Sequence, residues 1–223
     1  MNYKYKACMF DLDGTLCNTL DSIAYFANSA LEFYGYSTIE TEEYKLMIGN
    51  GADMLIRRML NKVAGSYSED DVYKVRHKYD ELYEADPLKL VEPYKGIPEL
   101  LKELNNREIK IAVLSNKPDD MTKAVIEGVL SSKYGINFSH VQGQLSGFPK
   151  KPDPTAPLYI LNKLNVNPEE CLYIGDSGVD MNTAKNCGFT AVGVSWGFRS
   201  VKELNENGAD IIVYTAEEIL SLI

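Results

Sequence analysis

The stretch Ala7-Cys8-Met9-Phe10-Asp11-Leu12-Asp13-Gly14-Thr15 decides the fold. Four apolar residues in a row have the length of a buried strand, and two carboxylates and a glycine end it at once. In an open parallel sheet, ligands bind just beyond the carboxyl ends of the strands. Side chains at i and i+2 of an extended segment share a face, so Asp11 and Asp13 can approach one centre. Gly14 allows a sharp turn whose amides can hold an anion. An Asp-Gly pair is also an ordinary turn signal, so the stretch needs partners elsewhere in the chain.

Working outward, the same grammar recurs. Short apolar runs at Ile109–Leu114, Cys171–Ile174, Thr190–Val194 and Ile211–Val213 each lead into a turn signal or a carboxylate, and Phe138–Gln142 is a weaker candidate. Between them lie helix-period stretches at Gly96–Asn105, Asp119–Leu130, Pro154–Leu164, Gly178–Cys187 and Val201–Asn207. This alternation predicts an α/β fold, a Rossmann-like and mostly parallel sheet with helices on both faces. One region departs from it. From about Asn18 to Asp86 only helical patterns occur, among them the stripe Ile23, Phe26, Ala27, Ala30, Leu31 and Tyr34. The expected organisation is an α/β core of residues 1–16 and 90–223, with residues 17–89 inserted as an α-helical cap.

Composition narrows the function. The 223 residues hold 32 acids and 23 Lys plus Arg, a formal charge of −9. Nucleic acid and anionic membranes are excluded as general partners, because both need a basic field. Cys8, Cys17, Cys171 and Cys187 form no C-x-x-C pair, and only His77 and His140 could join them, which argues against zinc. With no signal-peptide pattern and no bilayer-length apolar run, a reducing, cytoplasmic setting is expected.

The second acidic cluster is Gly175-Asp176-Ser177-Gly178-Val179-Asp180, again after an apolar run and opening a helix. Carboxylates converging from two strand ends would repel, and a hard divalent cation with oxygen ligands relieves this, which suits Mg²⁺. Helix capping would explain Asp176 alone but not the matching cluster at Asp11. Ser115, followed by Asn116 and Lys117, ends the strand at Ile109–Leu114 and can offer a hydroxyl and amides to a phosphoryl oxygen. Lys151 precedes Pro152-Asp153-Pro154, with Asp153 expected as helix N-cap and Pro154 as the first helical residue.

These four segments, in this order, resemble the motifs of the haloacid dehalogenase-like hydrolase superfamily: D-x-D-G-T, a strand-end Ser, a Lys before Pro, and G-D-S-x-x-D. The match spans nearly the whole chain. Val194–Ser200, Gly208-Ala209-Asp210 and Ile48-Gly49-Asn50-Gly51 are further similar to its phosphoglycolate phosphatase-like subgroup. The resemblance implies Asp11 as nucleophile and Asp13 as acid and base. It implies Ser115, Asn116 and Lys151 as phosphate-binding residues. Mg²⁺ would be held by Asp11, the Asp13 main-chain carbonyl, Asp176 and Asp180.

The implied reaction is Mg²⁺-dependent hydrolysis of a small phosphorylated metabolite. Dehalogenation is disfavoured, since a halide needs no acid and the family's dehalogenases lack one at the Asp13 position. A β-phosphoglucomutase-like transfer stays open, although Thr15 tilts towards hydrolysis, and so does pyrophosphatase or nucleotidase activity. A phosphonate hydrolase would need a cap lysine, for which Lys45 and Lys62 qualify by location alone. A catalytically silent binding module is the rival from another class, and the complete acid set speaks against it. In the cap, Gly49, Asn50 and Gly51 form the expected specificity loop, and Arg57 and Arg58 could meet a substrate carboxylate. The cap tyrosines, Tyr79 and Tyr83 included, read as packing and rim residues. Monomer and homodimer are both compatible with the sequence.

Overall fold

The computed structural model describes residues 3–223. Eight strands and ten helices follow in chain order: β1 (Ala7–Phe10), β2 (Cys17–Asn18), α1 (Leu20–Phe33), α2 (Ala52–Val63), α3 (Glu69–Ala85), β3 (Glu92–Pro93), α4 (Ile97–Asn106), β4 (Lys110–Pro118), α5 (Asp119–Val125), α6 (Ser132–Tyr134), β5 (His140–Gln144), α7 (Thr155–Leu164), β6 (Cys171–Gly175), α8 (Gly178–Cys187), β7 (Thr190–Val194), α9 (Val201–Glu206), β8 (Ile211–Val213) and α10 (Ala216–Leu220). Six strands form one sheet in the order β5-β4-β1-β6-β7-β8, every pair parallel. The fold is the Rossmann-like α/β class expected. The chain leaves β1 towards β4 on one side and returns to β6 on the other, so the ends of β1, β4 and β6 converge at the switch in strand order.

Alternation along the strands sorts the core into two layers. Cys8, Phe10, Ile111, Val113, Leu172 and Ile174 face α4, α5 and α10 on one side of the sheet. Met9, Ala112, Leu114, Cys171 and Tyr173 face α7, α8 and α9 on the other. Strands covered on both faces must be apolar throughout, which is why they read as continuous runs rather than alternating ones. No helix among the described residues is long and apolar enough to cross a membrane.

Helices α1, α2 and α3 bury a third cluster of their own, with Phe26, Ala27, Leu31, Ile56, Met59 and Leu60 at its centre. Its stem is the antiparallel pair of β2 with β3. That two-residue β2 was not expected, since a strand so short leaves no periodic signal. Tyr34 falls off the α1 stripe and is 40% exposed, because the helix ends at Phe33. The single helix expected over Asp119–Leu130 is also corrected. It is α5, then a π-helical stretch Ile126–Ser131, then α6. Gly128 faces Leu88 so closely that a β-carbon there would lie 2.5 Å from its Cδ1. Such a tertiary contact has no local sequence signature.

Candidate active site

Asp11 follows β1, Ser115, Asn116 and Lys117 lie at the end of β4, and Asp176 follows β6, so strand ends supply most of the site. Asp180 comes from the first turn of α8. The cap is Ser177, whose hydroxyl and amide both meet Asp180 Oδ2, at 2.6 and 3.1 Å, in a capping box. Asp176 therefore stays free of capping duty, contrary to the capping alternative. Asp153 does accept a helix N-terminal amide, that of Thr155 at 2.8 Å, but α7 begins at Thr155, one residue later than expected.

Buried carboxylate oxygens of Asp11, Asp176 and Asp180 lie within 4.8 Å of one another. Lys151 Nζ sits 2.8 Å from both Asp11 Oδ1 and Asp180 Oδ1. Burial alone would pull the lysine down, but these two carboxylates outweigh it and hold Lys151 well above its usual range. One ammonium does not neutralise three acids. Burial, with Asp180 and Asp13 opposing Lys151, pushes the Asp11 carboxyl up to about 7. Burial beside Asp180 and Asp11 drives Asp176 well above the carboxylate range. The cluster lacks positive charge, and its donors are hard oxygens, so the residues fit a divalent cation such as Mg²⁺.

Asp176 is gripped from two sides. Phe198 N–H donates to its Oδ2 at 2.7 Å, and β-carbons on Gly14 or Gly197 would lie 2.3 Å from Oδ2 or 2.2 Å from Cβ. Asn116 ties three segments together: Oδ1 accepts from Lys151 N–H at 2.9 Å, and Nδ2 donates to the carbonyls of Lys151 and of Gly49 in the cap loop. Arg199 Nη2 donates to Ile48 O at 2.8 Å from the other side of that loop.

Asp13 points away from the carboxylate cluster. Its Oδ1 is 3.1 Å from Lys117 Nζ, which also lies 4.6 Å from the Tyr83 ring centre. Burial opposes the charge on Lys117, yet Asp13 holds it above the usual lysine range. Sequence reading passed over Lys117, since a lysine beside a strand-end serine and asparagine has no distinctive spacing.

Core and cap enclose one cavity over Asp11, Asp13, Ser115, Lys117, Lys151 and Asp176, roofed by Ile23, Leu55, Tyr79 and Tyr83. Gly49 and Gly51 line it, but Asn50 does not: its Oδ1 accepts from Arg58. Arg58 also donates to Met47 O, and Arg57 forms a bidentate pair with Glu69, so these arginines brace the cap. Tyr79 and Tyr83 are cavity walls rather than rim residues.

A parallel sheet carrying an acid cluster, two buried lysines and a helical roof defines a class, and comparison names it. Residues 8–194 match the haloacid dehalogenase-like hydrolases, and the chain belongs to that family. It is a phosphatase of that family, similar to its phosphoglycolate phosphatases. The phosphoglycolate phosphatase of Vibrio parahaemolyticus is 32% identical over 222 residues, covering 98% of this chain and 96% of the relative. That of Vibrio cholerae is 34% identical over 198 residues, covering 86% and 85%. A solved structure from Lactobacillus delbrueckii subsp. bulgaricus, named as a candidate phosphoglycolate phosphatase, matches with TM-score 0.91 at 31% identity over 99% of both chains.

Proposed function

We propose that this chain is a Mg²⁺-dependent phosphomonoesterase acting on phosphoglycolate through an aspartyl-phosphate. The observation that carries the reading is Asp11, a buried carboxylate at the end of β1, held 2.8 Å from Lys151 and facing a capped cavity. Asp11 attacks phosphorus in line, and the alkoxide leaves with a proton from Asp13, whose side chain lies outside the acid cluster. Asp13 then takes a proton from the water that opens the acyl-phosphate. Lys151, Ser115 and the Asn116 backbone hold phosphoryl oxygens, since phosphoryl transfer depends mainly on positioning and charge. Asp11, the Asp13 carbonyl, Asp176 and Asp180 would hold Mg²⁺, which neutralises charge on the transferring group.

The core formed by residues 1–16 and 90–223 performs the chemistry, and residues 17–89 cover it and choose the substrate. Gly49 and Gly51 bring the cap loop over the leaving group, while Asn50 shapes that loop through Arg58. The mutase alternative is less favoured on the first motif, where this chain carries Thr15; the cavity walls themselves mix apolar Ile23, Leu55 and Met121 with Tyr79, Asp80, Tyr83 and Arg199. A cytoplasmic location agrees with four buried free cysteines.

The test is phosphate release from phosphoglycolate, glucose 6-phosphate, AMP and pyrophosphate, with Mg²⁺ and with EDTA. Phosphoglycolate should lead in kcat/KM by at least about tenfold, near the smallest discrimination one pocket contact gives, and EDTA should abolish turnover. A hexose phosphate in first place would reject the substrate. Full activity of Asp11→Asn would reject the covalent route.

A further inference from the structure

Residues 196–199, between β7 and α9, touch three parts of the molecule in four positions. Trp196 packs against the core and donates Nε1–H to Thr15 O at 3.1 Å, just before the β2 stem of the cap. A β-carbon on Gly197 would lie 2.2 Å from Asp176 Cβ and 2.6 Å from Gly14 O, so nothing larger fits between this segment and Asp176. Phe198 gives its N–H to Asp176 Oδ2 at 2.7 Å, yet its ring packs on the apolar cluster of the cap. Arg199 then reaches Ile48 O in the cap loop at 2.8 Å. Its side chain is 12% exposed, and Nη1 is buried with no partner among the described residues. Burying a guanidinium with one donor unmet is costly, and its contacts with Ile48 O and Glu203 are what offset the cost.

Two core side chains therefore grip successive carbonyls of the cap loop, Arg199 at Ile48 and Asn116 at Gly49. Arg58, at Met47 O, belongs to the cap and moves with it. Asn116 connects the loop to Lys151, on the phosphate side. Arg199 connects it to Asp176, through the amide of the neighbouring Phe198.

We propose that Arg199 is a positioning residue that ties the seating of the cap loop to the cation site, so that divalent cation binding at Asp176 and closure of residues 48–51 favour each other. The inference rests on the reading of Asp11, Asp176 and Asp180 as cation ligands. The loop has two states, seated on Arg199 and Asn116 or released from them. Without a cation, three buried carboxylates within 4.8 Å of one another repel, which works against any fixed position of Asp176. A cation removes the repulsion and fixes the carboxylate. Phe198 N–H then keeps a charge-assisted bond to a stationary acceptor, and Arg199, the next residue, presents its guanidinium to Ile48 O. Linkage makes the effect reciprocal, so a seated loop tightens the cation by the same factor.

Hydrogen exchange and calorimetry on the full chain, without substrate, test this. In wild type, saturating Mg²⁺ should slow exchange at residues 47–51 by about fivefold or more relative to EDTA, the lower end of ordinary coupling between sites. Trp196, the single tryptophan, should change its fluorescence in the same titration. Arg199→Met should abolish the Mg²⁺ effect on the loop and weaken Mg²⁺ binding, by up to the factor lost. The sign is diagnostic. The Arg199 charge is near enough to act on Asp176, so its removal alone would tighten a cation site. Arg199→Lys keeps the charge and a donor and should restore part of both effects. Unchanged or tighter Mg²⁺ binding in Arg199→Met, or a loop that still responds to Mg²⁺, overturns the role of Arg199. Wild-type loop exchange that ignores bound Mg²⁺ overturns the coupling, and needs no variant should Arg199→Met fail to fold. Wild type that binds no Mg²⁺, or Asp176→Asn that binds it as tightly, overturns instead the cation site proposed above.

Discussion

At Gly14 two demands meet. Its φ is +86°, in the left-handed region, and a β-carbon would lie 2.3 Å from Asp176 Oδ2 and 3.0 Å from the Phe198 ring. Gly35 has a similar φ of +77° with nothing within 4 Å, so it separates strain from collision. Gly35→Ala should cost about 1 kcal/mol and leave kcat unchanged. Gly14→Ala adds overpacking of about 1–3 kcal/mol and displaces Asp176, and should lower kcat by roughly 10²-fold or more. Thermal melts and kcat for both variants check this, and equal kcat losses would show that Asp176 is not held by close packing. The acids themselves were legible, because D-x-D and D-x-x-x-D place carboxylates at fixed offsets from strand ends. The grip on Asp176 was not. Gly14 and Gly197 reach it across the sheet, and nothing local in Trp196-Gly197-Phe198 announces the contact.

Elements matter here through their ends. The buried strands were legible because full burial demands unbroken apolar runs, and the termination of each run marked where side chains emerge. The π-helical stretch and the two-residue β2 were illegible, since both follow from packing between distant segments. The coupling of β4 to the cap belongs to the same category. Asn116 pairs with the Lys151 backbone twice and with Gly49 O once, so one side chain joins the end of β4, the segment before α7 and the cap loop. Removing it strands buried backbone groups, at a cost of about 1–3 kcal/mol. Asn116→Ala should therefore lose kcat/KM by about 10-fold to 10²-fold, through a loosened Lys151 and an unlatched loop. Hydrogen exchange should rise at Gly49–Gly51 but stay unchanged in β6. Unaltered exchange in the loop, together with intact kinetics, would mean the latch contributes nothing.

Across the whole molecule, the net charge of −9 poses the question of how an anion is accepted. Residues 17–89, the proposed cap, carry 13 acids against 8 bases, and the rest of the chain is also acidic, so neither part attracts phosphate by its bulk charge. Attraction must come from the cations that line the cavity, Lys117, Lys151 and Arg199, and, on the function proposed, from a bound divalent cation, whose removal should have a measurable thermodynamic sign. In the metal-free protein, burial raises Asp11 to about 7 and Asp176 above the usual range. Unfolded, both lose their protons near pH 4. The native state then binds more protons than the unfolded state between about pH 4 and 7, so its stability falls as pH rises through that window. Exposed pairs such as Arg107 with Glu103 hold their acids below the ordinary value, and they act only at lower pH. Mg²⁺ at 100 times its Kd should add about 2.7 kcal/mol near neutrality. For a chain of this size that is roughly 5–10 °C in Tm. The gain should shrink towards pH 5, where protons compete for the same oxygens. Thermal melts from pH 4.5 to 8, with EDTA and with Mg²⁺, read both effects. A flat EDTA profile, or a Mg²⁺ increment independent of pH, would mean that these three acids do not form the cation site.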